Sequence, residues 1–207
     1  MEKKSKMFLD PQQPLHTCAS NTCDGCTVIS NLNCHYNLKQ LLQFLSMALP
    51  PFIAGGFGIY SYMPVLLFIW IGIILFYFGV IEIRVMCSHC PHYAEPDLKS
   101  LKCWANYGSP KLWKYRPGPM SFTEKFIFLG GMLVVFIFPL PFIILSELWF
   151  LLIIYILTTT AFFFTLNTFL CTQCINFACP FNRVKGSVRK EFFKLNPQIE
   201  KAWGKKL

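Results

Sequence analysis

Charge is what this sequence has least of. Only 14% of its 207 residues are Asp, Glu, Lys or Arg, against about 25% in an ordinary soluble domain. Residues 40–81 form 42 consecutive positions with no charged side chain, and residues 126–182 contain only Glu147. A soluble core of all-round apolar helices is hard to hide in a chain this short. Also missing is an apolar core within Met1–Lys39 of the kind a cleavable signal peptide needs, so the first apolar helix is expected to act as the insertion signal. No nucleic-acid recognition motif accompanies the net charge of +9, and nucleic acid is not expected as a partner.

What the two tracts do contain is apolar length. About 20 apolar residues cross a bilayer core, so each tract suffices for two crossings. Turn chemistry divides them. Gly55, Gly56, Gly58, Ser61 and Pro64 suggest helices near 40–59 and 63–83, and Ser146-Glu147 suggests helices near 125–145 and 148–170. The expected fold is an all-α membrane protein with four transmembrane helices arranged as two hairpins. Its parts are an N-terminal cysteine-rich segment (1–39), hairpin 1 (40–83), a cysteine-rich loop (84–124), hairpin 2 (125–170), and a knuckle with a basic amphipathic tail (171–207).

The basic residues set the orientation. Residues 1–39 hold four of them, 84–125 seven and 171–207 eight, which leaves none at either hairpin tip. Positive loops stay in the cytoplasm, so both termini and the central loop are expected there, facing an anionic inner leaflet.

The chain also repeats itself. Cys87-Ser88-His89-Cys90-Pro91-His92-Tyr93-Ala94-Glu95-Pro96 and Cys171-Thr172-Gln173-Cys174-Ile175-Asn176-Phe177-Ala178-Cys179-Pro180 share C-x-x-C-x-[HN]-[YF]-A-x-P at an offset of 84 residues. That offset also relates the expected starts of the first and third helices. Two halves of equal orientation follow, related by an axis along the membrane normal, although Pro50-Pro51 and Pro139/Pro141 do not align.

All ten cysteines fall on the basic side. In a reducing compartment such spacings point to metal or redox chemistry rather than disulfides. Cys87, Cys90, Cys171 and Cys174 supply the four thiolates of a tetrahedral site. Cys103, Cys179 and His92 are further candidate ligands. Cys18, Cys23, Cys26 and Cys34 form a separate group with His16 and His35 nearby. Its C-x4-C-x2-C spacing is similar to part of the plant-type ferredoxin run over nine residues, and Cys179-Pro180 resembles the Cys-Pro ending of bacterial ferredoxin sites, though at a different spacing. The expected cofactor is zinc or an iron–sulfur cluster. Structural zinc is the less demanding of the two for the paired knuckles, while a cluster beside a membrane implies a redox partner or quinone.

Other functions are weaker. The layout resembles that of the palmitoyltransferases with an Asp-His-His-Cys tetrad, but the tetrad is missing and the loop is short. His92 and Cys103 could serve there as base and nucleophile. Four-helix thiol oxidoreductases that reduce quinones place their reactive thiols on the opposite side. A transporter would need ionisable groups at membrane depth, and Glu82 and Glu147 are expected at helix ends. Trp104, Tyr107, Trp113 and Tyr115 suit an interfacial belt. A tail helix near Ser187–Leu195 would place Phe192 and Phe193 on the bilayer.

Overall fold

Helix α1 (Leu38–Tyr62) begins at a capping box: the Asn37 side chain accepts from the Gln40 N–H, and the Gln40 side chain accepts from the Asn37 N–H. Reciprocal capping satisfies two backbone donors that a helix start leaves open. The computed structural model describes residues 7–204, so Lys3, Lys4, Lys6, Lys205 and Lys206 of the basic segments lie outside the described residues. Met63 alone joins α1 to α2 (Pro64–Phe76), whose first residue is the proline that a helix tolerates there. A π-helical turn (Tyr77–Ile81) leads into α3 (Glu82–Val85). Helix α4 (Phe122–Ile137) starts at a second capping box, Ser121 with Glu124. Helix α5 (Pro139–Leu145) follows after Phe138. The second hairpin turns at Ser146-Glu147, where Glu147 takes φ 56°, and continues as α6 (Trp149–Thr165) and a π-helical turn (Leu166–Leu170). Helices α7 (Gly186–Leu195) and α8 (Pro197–Trp203) complete the chain, divided at Pro197.

Among the described residues, four helices are long and apolar enough to cross a membrane: Leu38–Tyr62, Pro64–His89, Phe122–Leu145 and Trp149–Leu170. Among the described residues there is no strand, only an isolated bridge between Ser100 and Pro110. Large apolar side chains stand on the outside of the bundle, with Phe68 at 73% and Phe150 at 77% exposure. In water such a surface would drive association; in hydrocarbon it is the expected face of an integral membrane protein.

Gly55, Gly56 and Gly58 lie inside α1 rather than at a turn. Two of them admit the second hairpin: a Cβ at Gly58 would come within 2.2 Å of Ile143, and one at Gly55 within 3.0 Å of Pro139 and Tyr155. Small residues let helices approach closely where dispersion and hydrogen bonds must supply the attraction. Gly131 likewise admits the ring of Tyr77, which donates to the Phe128 carbonyl at 2.6 Å. Trp70 donates from its indole nitrogen to the Val135 carbonyl at 2.9 Å. Residue 139 is proline and has no N–H, so this carbonyl lacks its regular helical donor, and Trp70 supplies a replacement.

Outside the spans, the N-terminal segment, the central loop and the tail pack on one another. The His16 N–H donates to Glu95 at 2.7 Å, and the Asn33 N–H to the Gln173 carbonyl at 2.8 Å. The Ala19 N–H donates to the Leu195 carbonyl at 2.8 Å, and Thr17 to Asn196 at 2.7 Å. Phe192 and Phe193, expected on the bilayer, instead pack against Phe177 at ring separations of 5.1 and 5.4 Å. They form a core with Leu15, Val28 and Leu32 of the N-terminal segment, which offers them a dry surface. Trp104 departs from the interfacial belt in the same way, lying buried with its ring edge-on to Phe44 at 4.9 Å.

Candidate metal centre

The turns that carry the cysteines follow directly from the spans. The π turn Tyr77–Ile81 and α3 deliver Cys87 at the end of the second span, and the π turn Leu166–Leu170 delivers Cys171 at the end of the fourth. Such turns recur at functional sites because they re-aim the residues that follow. The Cys90 N–H donates to the Cys87 carbonyl at 2.9 Å, closing the first knuckle. The second is braced from outside, by Asn182 donating to the Cys174 carbonyl at 2.7 Å and the Arg183 N–H donating to the Cys171 carbonyl at 3.0 Å.

Both knuckles open on one cavity of about 400 Å³. Cys87, Cys90, Cys171 and Cys174 of the two knuckles line it, and Cys103, Cys179 and His92 line it with them. Cys103 arrives on the loop closed by Leu101 and Ser109, where its sulfur accepts from the Asn106 N–H at 3.2 Å. The Asn106 side chain donates to Cys87 Sγ and to Glu82, each at 3.4 Å. Away from the sulfurs the cavity runs between the spans, walled by Phe44, Phe52, Phe78, Phe128, Phe136 and Phe162. Many lining residues pair across 84 positions: Phe44 with Phe128, Phe52 with Phe136, Phe78 with Phe162, Cys87 with Cys171, Cys90 with Cys174, and His92 with Asn176.

Three buried polar atoms on residues of this wall have no partner: His92 Nδ1, Asn176 Oδ1 and Glu82 Oε2. Orphaned buried polar atoms are costly and call for an explanation. The His92 ring is fixed by its other nitrogen, Nε2, which donates to the Cys34 carbonyl at 3.0 Å. Burial pushes this imidazole down to about 4, so Nδ1 carries a bare lone pair at neutral pH. A ring anchored through one nitrogen with the other free is the usual posture of a metal-binding histidine.

All ten cysteines are free thiols. Burial pushes Cys103 and Cys174 up to about 12, Cys171 up to about 11, and Cys90 and Cys179 well above the ordinary range. Cys174 also receives a hydrogen bond from Tyr36, whose ring packs on His92 at 4.8 Å. Catalytic thiols are tuned the other way, toward the thiolate. Burial thus shifts Cys103 away from the thiolate that a nucleophile needs. As the side chains stand, no group of three or more His, Cys, Asp or Glu among the described residues is arranged to hold a metal ion. The inner thiols surround a space rather than a point.

The N-terminal group sits apart. Cys18, Cys23, Cys26 and Cys34 line a second cavity of about 30 Å³ with His35, Phe192 and Asn196. The Cys26 N–H donates to the Cys23 carbonyl at 3.2 Å, the turn of a C-x-x-C knuckle. Burial raises Cys34 to about 12, with the neighbouring thiols adding to the shift. The His35 Nε2 is taken up by the Gln13 carbonyl at 2.8 Å, while His16 is tied to Glu95 only through its backbone.

Glu82, Asn106 and Tyr36 join the wall although the sequence reading had not placed them there. Glu82, a lone acid just after 42 uncharged positions, was the one visible signal. Asn176 occupies the position of His92 in the repeated pattern, and that match could have marked it.

The chain matches no protein-family model, no curated protein and no solved structure.

Proposed function

We propose that this protein is a membrane electron carrier in which the inner cavity holds a thiolate-bound iron–sulfur cluster at the cytosolic face. One observation carries the reading: the thiols of both knuckles, with Cys103 and Cys179, face a shared space of about 400 Å³. A single zinc ion draws its thiolates to about 2.3 Å, leaving the sulfurs ~3.8 Å apart with no room between them. A space of this size suits a multinuclear group. The bare lone pair of His92 Nδ1 suits a ligand to one iron, as in clusters where histidine replaces cysteine. Hydrogen bonds to Cys103 and Cys87 sulfur from Asn106 are a recognised means of setting a cluster's potential.

The aromatic extension of the cavity between the spans supports a quinone as redox partner, since its ring would reach the centre from the bilayer. Reduction of a quinone to the quinol would take two electrons, which the cluster would pass one at a time from a redox partner on the cytosolic side, and two protons from water on that side. The orientation rests on the basic residues, all of which belong to the segments on the cysteine side of the spans. We read the chain as two related hairpins bearing one cysteine-rich cap. The capping boxes at Asn37/Gln40 and Ser121/Glu124, the C-x-x-C knuckles and the paired cavity residues all keep the 84-residue offset.

The test is anaerobic purification in detergent, followed by iron and acid-labile sulfide analysis and a visible spectrum. Broad absorption near about 400 nm, bleached by dithionite and lost in Cys90→Ser/Cys174→Ser, is the expected result. Colourless protein containing zinc alone would replace the electron carrier with a zinc-clamped scaffold.

A further inference from the structure

We propose that Cys18, Cys23, Cys26 and Cys34 form a second, single-ion metal centre, coupled to the inner cavity through His92. The four thiols line a space of about 30 Å³, little more than a water-sized void. That is room for one tetrahedral ion and too little for a cluster. Zinc or mononuclear iron takes four thiolates; the side chains as they stand are not drawn into a tetrahedron, so binding would close the four sulfurs on the ion. The thiols are half-buried rather than sealed in, so an ion can enter without unfolding the segment.

The segment is also held in place. Leu15, Val28 and Leu32 are buried against Ile175 and Phe192, and Asn33 is bonded to Gln173 through both backbone and side chain, at 2.8 and 3.2 Å. A cysteine-rich tail without a role would not need such seating.

The coupling is a single hydrogen bond. Cys34 contributes its thiol to the small cavity and its carbonyl to His92 Nε2 at 3.0 Å. His92 Nδ1, on the other side of the ring, is buried, unpartnered and part of the wall of the large cavity. An ion on Cys34 therefore fixes the carbonyl that orients His92. The existence of the second centre is independent of the electron-carrier reading; only the coupling rests on it.

Metal content of detergent-purified full chain, measured for wild type, Cys23→Ser/Cys26→Ser and Cys90→Ser/Cys174→Ser, separates the two. The N-terminal pair of substitutions should remove one metal ion per chain and keep the metal of the inner centre, with that centre's absorption or potential shifted through His92. The inner pair should do the reverse. Metal lost only with the inner pair overturns this proposal and spares the electron carrier; a single ion lost only with the N-terminal pair does the opposite. His92→Gln can keep a side-chain N–H for the Cys34 carbonyl but loses Nδ1. It should retain the N-terminal ion and shift the inner centre's spectrum or potential, and an unchanged spectrum and potential overturns the coupling. If a double variant fails to fold, maleimide labelling of wild type decides: the four N-terminal thiols should be protected until a chelator is added, and immediate labelling refutes the centre.

Discussion

Proton release on metal binding tests the burial of the inner thiols. With Cys103 and Cys174 at about 12, about one chain in 10⁵ would carry either thiolate at pH 7. Cys171, at about 11, is ionised only about tenfold more often. A metal bound by four thiolates must therefore expel about four protons. Release at pH 7 alone does not discriminate, because an ordinary thiol near about 8.5 is also protonated there. At pH 9 the two cases separate. Four ordinary thiols would retain about one proton in total, whereas thiols near 11 to 12 would still retain about four. The sign follows from protons being products: binding strengthens as pH rises, by up to about 10⁴ per unit below the thiol pKa values, and is lost on acidification. The assay is calorimetric titration of zinc into metal-stripped Cys23→Ser/Cys26→Ser protein, run in buffers of different ionisation enthalpy. Release near one proton at pH 9 would refute the idea that a dry cavity holds these thiols in their neutral form.

Three further outcomes follow from the fold. Trp70→Phe leaves the Val135 carbonyl without a donor and should cost about 1–3 kcal/mol. Combined with Pro139→Ala, which restores a backbone N–H, the loss should shrink by about 1 kcal/mol in a double-mutant cycle of detergent unfolding, and strict additivity would count against the compensation. Gly131→Ala sets a Cβ 2.2 Å from the Tyr77 ring and should destabilise by about 1–3 kcal/mol, while Gly72→Ala meets nothing within 4 Å and should be neutral or mildly stabilising. Equal melting temperatures for the two variants would contradict the packing. Phe192→Ala empties the core beneath the N-terminal segment at a cost of about 3–5 kcal/mol and should expose residues 7–37 to limited proteolysis; an unchanged digestion pattern would mean that the segment is seated by other contacts.

The sequence alone determined the four helices long and apolar enough to cross a membrane, and the reason is the bilayer's demand for about 20 apolar residues per crossing. Uncharged tracts of this length have few other uses. It also placed the second hairpin's turn at Ser146-Glu147, because a lone charge and a hydroxyl in an apolar run have no better location. The first turn was legible too, since the break falls at Met63 between Ser61 and Pro64, but the glycines before it serve another purpose: only the positions of Ile143, Pro139 and Tyr155 decide that Gly55 and Gly58 are contact surfaces. The cysteines were legible as candidates from their spacing, since C-x-x-C fixes a local turn. Their division into an inner set and an N-terminal set was legible as well, but the sizes of the spaces they line were not, because cavity volume belongs to the packed bundle and not to any segment. The same holds for His92. Its spacing in the repeat marked it as a possible ligand, but its free nitrogen depends on a carbonyl 58 residues away and on burial that only the tertiary structure supplies.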